Sequence, residues 1–142
     1  MDFGSLVESM IYGISISKQP GEYSSSKHIV SIDIEDNYKN RWSLTATGVS
    51  DLCIKSLCIQ NIIHEVYLFE GVSSDCDDVR NKIHFLLDAG DQSNKNDWVW
   101  KLVEQFVTSI SAGQACLLEI EPVCGAYILM IAESISLKMI SR

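Results

Sequence analysis

SSDCDDVRNKIHFLLDAGDQSNKNDWVWKLVEQFVTSISAG, residues Ser73 to Gly113, decides the fold class. It reads as two consecutive helices set between blocks of strand pattern. The first is predicted to open at Ser74 or Asp75 and to carry Val79, Ile83, Leu86 and Leu87 on one face. That spacing of i, i+4, i+7 and i+8 belongs to a half-buried helix. The second opens at Asn96 or Asp97 and turns Val99, Leu102, Val103, Phe106 and Ile110 inward. Gly90 and Gly113 stand where a left-handed closing residue is wanted.

Outward from this stretch the pattern is that of strands. Met10 to Ser17 alternates, and Gln19 to Ser26, with Pro20, Gly21 and three consecutive serines, is a surface loop. His28 to Glu35 points Val30, Ile32 and Ile34 one way; after a turn at Asp36 to Asn40, Arg41 to Thr47 continues with Trp42, Leu44 and Ala46, so the two form a hairpin. Leu52 to Phe69 is too long for one ordinary strand and is expected to split near Gln60 and Asn61. Ala115 to Glu121 is a strand ended by Pro122, with Leu118 and Ile120 opposite Glu119 and Glu121. Gly125 to Glu133 has little polarity on either face, as in a central strand covered on both sides. Phe3 to Val7, and Ile135 to Ile140, fit either a strand or a helical turn. Strands, then two helices, then strands argue for a single α+β domain over residues 1–142. Its sheet is mainly antiparallel, with two consecutive central helices packed on one face.

The 142 residues carry a formal net charge of −8, from 11 basic and 19 acidic side chains. Direct nucleic-acid binding is disfavoured, because phosphate contacts need a basic stripe. An anionic membrane surface is disfavoured for the same reason. A basic protein is the natural partner. No basic, apolar leader is visible at Met1–Asp2–Phe3, and the longest apolar run, Ala126 to Ala132, is too short to span a bilayer, so a cytoplasmic protein is expected. Five cysteines, Cys53, Cys58, Cys76, Cys116 and Cys124, lie mostly in strand pattern and read as free thiols, although a Cys116–Cys124 bridge across a hairpin is geometrically compatible.

No cofactor or metal motif occurs. Asp75–Cys76–Asp77–Asp78 departs from a calcium loop at Val79 and Arg80, and Cys53 and Cys58 are spaced to opposite faces of a strand. His28, His64 and His84 fall on separate elements, with His84 expected on a solvated flank of the first helix. No nucleophile elbow, P-loop or dinucleotide fingerprint is present, so binding rather than catalysis is expected.

Between Glu70 and Asp97 seven acids face three bases, a net of −4 in 28 residues. Helix capping and the helix dipole account for Asp75, Asp77 and Asp78 without a ligand, but not for Asp88 and Asp91 at the unfavourable end. Trp98 and Trp100, two apart, cannot share a helix face, so one of them is left for an interface. Asp75, Asp77, Asp78, Asp88, Asp91, Trp98 and Trp100 are therefore the candidate partner-binding residues. Glu119 and Glu121, with Asp33 and Glu35, offer a second candidate in an uncovered acidic sheet face.

This combination of size, acidity and element order resembles the bacterial immunity proteins of contact-dependent inhibition and related polymorphic toxin systems. The resemblance implies a tight complex with a cognate toxin domain, often a nuclease, whose basic substrate groove the acids would occlude by standing in for phosphate. An adaptor or assembly subunit, including a homodimer through a sheet edge, and an enzyme with a site assembled from distant residues remain alternatives.

Overall fold

Eight strands and two helices make up the computed structural model, which describes residues 1–20, 27–71, 76–87 and 97–141. After a 3-10 turn at Gly4–Leu6 come β1 (Met10–Lys18), β2 (His28–Glu35), β3 (Arg41–Val49), β4 (Asp51–Lys55) and β5 (Asn61–Phe69). The helices α1 (Asp77–Leu87) and α2 (Asp97–Ser111) follow, then β6 (Cys116–Cys124), β7 (Tyr127–Ala132) and β8 (Ser134–Ser141). All pairings are antiparallel, in the order β4-β7-β6-β5-β1-β2-β3-β8. The α+β class with a mainly antiparallel sheet is thus the observed one.

Two one-residue joints bend this sheet. Only Ser50 separates β3 from β4, and only Glu133 separates β7 from β8. At the joints Glu133 N–H donates to Thr47 O (2.9 Å) and Ser50 N–H to Ile131 O (3.1 Å), so the β3–β4 ribbon stays paired with the β7–β8 ribbon through the bend. Gly48 makes this approach feasible: its φ is +67°, and a Cβ there would lie 2.6 Å from the Glu133 side chain. Two four-stranded halves, β1-β2-β3-β8 and β5-β6-β7-β4, result. They share strands at this corner and meet again where Met10 and Ile11 pair with Ile62 and Asn61.

Between the halves lies the main core, with Val30, Ile32 and Ile34 of β2, Leu44 and Ala46 of β3, Ile63 of β5, Leu118 and Ile120 of β6, and Ile128 and Met130 of β7. A second core lies on the outer face of β6–β7, where Leu117, Leu129 and Ile131 meet Val79 and Ile83 of α1 and Val99, Val103, Val107 and Ile110 of α2. β7 is buried on both faces, as its apolar sequence predicts. Each of these aliphatic side chains contributes about 1.5–3 kcal/mol on burial, against about 0–1 for a surface ion pair, so apolar contact holds the helical layer.

Several expectations need amendment. The α2 stripe runs through Val99, Val103, Val107 and Ile110, with Leu102 and Phe106 flanking it half-buried. Its end is a Schellman closure: Gly113 has φ +77°, its N–H donates to Ile110 O and that of Gln114 to Ser109 O. The predicted start at Ser74 or Asp75 and the closing Gly90 lie outside the described residues. Phe3 to Val7 contains the 3-10 turn, and Ile135 to Ile140 is strand. β4 and β5 are separated by Ser56 to Gln60, a wider break than expected. Pro122 does not end β6: it pairs with Ile63 at a register irregularity, where a missing N–H is tolerated.

His84 is not on a solvated flank. It is fully buried and stacks on Trp100, with ring centroids 4.4 Å apart, because α2 covers a wider stripe of α1 than the aliphatic spacing shows. Neither ring nitrogen has a hydrogen-bond partner among the described residues. A buried polar group left unpaired costs about 1–3 kcal/mol. His84→Phe keeps a planar ring against Trp100 and removes both nitrogens, so it is expected to raise the unfolding free energy by about 1 kcal/mol. Urea denaturation would read this as a higher midpoint with an unchanged slope.

Candidate interaction surface

Of the helix acids, Asp75, Asp88 and Asp91 lie outside the described residues. Asp77 and Asp78 are exposed, but each faces a cation of its own helix: Asp77 lies 4.0 Å from Arg80, and Asp78 lies 3.2 Å from Lys82. Those i+3 and i+4 partners arise from helix periodicity and place cations beside Asp77 and Asp78. Arg80 also binds Glu104 of α2 at 2.7 Å. Trp98 is 65% exposed, whereas Trp100 packs into the second core, so the two rings diverge as their spacing requires.

The proposed acidic sheet face is divided. Asp33 and Glu35 lie on β2 and Glu119 and Glu121 on β6, with β5 and β1 between them in the sheet. Glu119 is buried rather than wet, because α1 covers it. It accepts a 2.5 Å hydrogen bond from the Tyr127 hydroxyl and pairs with Lys82 at 3.3 Å. Burial, and then the bond to Glu119, push the Tyr127 phenol well above its ordinary pKa. Burial works against the Lys82 ammonium, but the bond to Asp78 and the charge of Glu119 outweigh it and raise its pKa. These groups border a groove of about 350 Å³ lined by Asp78, Asn81, Lys82, Phe85, Tyr127 and Leu129.

Two acids without a cation partner among the described residues sit on β5 and β6. Glu65 of β5 stands directly opposite Glu121 of β6, and Tyr67 stands opposite Glu119. Among the described residues no lysine or arginine pairs with Glu65 or Glu121. Like charges directly opposite on a sheet are destabilising. Burial and then the charges of Glu121 and Glu65 raise the pKa of the Tyr67 phenol between them.

Beyond this pair the β4–β5 loop and the β6–β7 turn form a tip. Leu57 is 61% exposed, Ile59 97% and Val123 61%. The buried Asn61 clamps the two segments. Its Oδ1 accepts from Cys58 N–H (3.0 Å) and Ala126 N–H (2.9 Å), and its Nδ2 donates to Cys58 O (2.6 Å). Gly125, with φ +86°, allows the close approach: a Cβ there would lie 2.5 Å from Asn61 Oδ1 and 2.6 Å from Gln60 O. Ser56 opens the loop at φ +60°, a conformation that costs a non-glycine residue energy and persists only where the surroundings hold it. Three exposed aliphatics on an anchored tip, beside an acidic pair, have the anatomy of an apolar anchor with a charged rim. Strand alternation assigns Leu57 and Ile59 to a strand, so the tip is missed; the signal for it was the Gln60–Asn61 break together with Gly125.

The remaining polar groups are structural. Glu35 binds Lys39 (3.2 Å), Tyr12 (3.1 Å) and Arg41 (3.8 Å). Asp36 accepts from Trp42 Nε1, Asn40 Nδ2 and the N–H groups of Tyr38 and Asn40, closing the β2–β3 turn. A Cys116–Cys124 bridge is ruled out, since the two residues stand at opposite ends of β6. Among the described residues no group of three or more His, Cys, Asp or Glu side chains is disposed to hold a metal ion. Nor is any helix among them long and apolar enough to cross a membrane. No family model, no curated protein and no solved structure matches the chain.

Asn61→Ala leaves the buried Ala126 N–H unpaired and releases the loop, so it is expected to cost about 2–3 kcal/mol in urea denaturation. Asp36 gives a pH signature. Burial alone would raise its pKa, but its four donors hold it at about 2, against an ordinary 3.8. A carboxylate with a depressed folded-state pKa stabilises fully above its unfolded value and loses that contribution as pH falls through the folded one. The thermal midpoint is therefore expected to fall between pH 3.8 and about 2. Asp36→Asn should flatten that slope.

Proposed function

We propose that this chain is a binding protein that docks on a basic protein domain through the tip and the acidic strip beside it. Leu57, Ile59 and Val123 would anchor, and Glu65 and Glu121 would supply the charge. The observation that carries the reading is the Glu65–Glu121 pair, two carboxylates held in register at the foot of an exposed apolar tip with no cation paired to them among the described residues. A lysine or arginine from a partner would relieve that repulsion and so be bound more tightly than by a lone carboxylate. Trp98, exposed at the start of α2, offers a further anchor. Of the helix acids, Asp77 and Asp78 contribute less, being offset by Arg80 and Lys82.

Toxin neutralisation in the cytoplasm is the specific form of this reading. It rests on the resemblance in size, acidity and element order to immunity proteins. In that form the basic partner is a nuclease domain, and the carboxylates occupy the groove that would otherwise take phosphate.

The test uses the chain to capture its partner from the host cell, followed by kinetics with the purified partner. A one-to-one complex is expected, with an association rate that falls steeply as salt rises. Glu65→Lys is expected to slow association by about tenfold or more, because it removes one attractive charge and adds a repulsive one. The same change places opposite charges in register and should raise stability by about 0.2–1 kcal/mol. A variant that gains stability and binds as well as the wild type would remove this surface from the interface.

A further inference from the structure

Cys58 and Cys124, far apart in sequence, share one acceptor. The Cys58 thiol donates to Gln60 O at 3.0 Å, and the Cys124 thiol reaches the same oxygen at 3.7 Å. Both residues are exposed. The segments that carry them are linked, because Asn61 is bonded to both the N–H and the carbonyl of Cys58 and to Ala126 N–H. Gly125, next to Cys124, lies against the Gln60 carbonyl. Two sulfurs gathered around a single oxygen atom lie on neighbouring segments, and a disulfide would need rotation to bring them to about 2 Å across Cα atoms about 4.4–6.8 Å apart.

We propose that Cys58 and Cys124 are a redox modification site, a dithiol that closes reversibly to a disulfide by exchange with a small-molecule disulfide. One cysteine loses its proton, and its thiolate attacks a sulfur of the small disulfide. The S–S bond of that molecule breaks, one small thiolate leaves and takes up a proton, and a mixed disulfide remains on the protein. The second cysteine, deprotonated in turn, attacks the protein sulfur of the mixed disulfide and expels the second small thiol. Two protein thiols are oxidised and one small disulfide is reduced to two thiols, so protons and electrons balance.

The other cysteines are poor competitors. Cys116 is buried, and burial pushes its thiol up to about 11. Cys53 and Cys76 are half-buried, on β4 and just before α1. Closure of the bridge would staple the β4–β5 loop to the end of β6 at the base of Leu57, Ile59 and Val123, adding a covalent tie to the clamp that Asn61 makes.

The experiment incubates the folded full chain with oxidised glutathione and reads intact mass and a peptide map. The expected product has lost two hydrogens, links residues 58 and 124, is reversed by dithiothreitol, and exceeds singly glutathionylated chain by about tenfold or more, because the second thiol acts at a high effective concentration. Cys58→Ser and Cys124→Ser, both at exposed positions, should each stop at one glutathione adduct on the remaining cysteine. Separate adducts on both cysteines of the wild type, links through Cys53 or Cys76, or no reaction at either thiol would each overturn the assignment.

Discussion

Burial of β6 and β7 on both faces is the constraint from which the other features follow. Leu118, Ile120, Ile128 and Met130 look into the core between the two sheet halves, while Leu117, Leu129 and Ile131 look out. An outer face of that kind must be covered, and the two helices placed between β5 and β6 in the chain are the available cover. Once α1 lies there, Glu119 is enclosed, and a buried carboxylate needs partners. Tyr127 from the neighbouring strand and Lys82 from the covering helix supply them. The polar contacts under α1 are thus consequences of an apolar requirement.

The bends at Ser50 and Glu133 answer a second requirement. A sheet of eight strands with one buried face needs something against which to pack that face, and here it packs on itself. Strands that pass from one half to the other bring Leu52 and Ile54 of β4, and Ile135 and Leu137 of β8, against the same core. This explains why β4 and β8 stand at opposite ends of the strand order although each continues a strand at the other end.

Much of this was legible in sequence where one periodicity acts alone. The β2–β3 hairpin, with Val30, Ile32 and Ile34 facing inward and a turn at Asp36 to Asn40, follows from alternation and turn chemistry, and Glu35 pairs with Arg41 as that turn demands. The apolar run of β7 announces a strand with no wet face. What was not legible arises between elements. Nothing local to His84 shows that α2 will cover it, and nothing in Ala115 to Glu121 distinguishes Glu119, enclosed by α1, from Glu121, which is not. Likewise, a net charge summed over Glu70 to Asp97 does not say which acid each cation faces, whereas the pairing of Glu65 with Glu121 needs the register of two strands separated in sequence by the helical layer. For the candidate surface, then, the exposure of one tryptophan, Trp98, was foreseen, while the Glu65–Glu121 pair was not.

Rigidity decides whether such a tip can serve as a binding surface. A loop carrying Leu57 and Ile59 into solvent would, if loose, lose several side chains' worth of conformational freedom on docking, at about 0.5–1.5 kcal/mol for each one immobilised. Asn61 and Gly125 remove much of that cost in advance by fixing the loop to the turn. The fixing has its own requirements: a buried amide bonded through both its oxygen and its nitrogen, a glycine at φ +86°, and Ser56 at φ +60°. Asn61 satisfies the buried Ala126 N–H at the edge of the core, while its bonds to Cys58 fix an exposed loop that hydrophobic burial does not hold. Their energetic sense lies in presentation, because backbone strain and a dedicated buried amide are retained where a fixed geometry is needed. The Glu65–Glu121 repulsion, which no cation among the described residues relieves, is the feature that the proposed basic partner would offset.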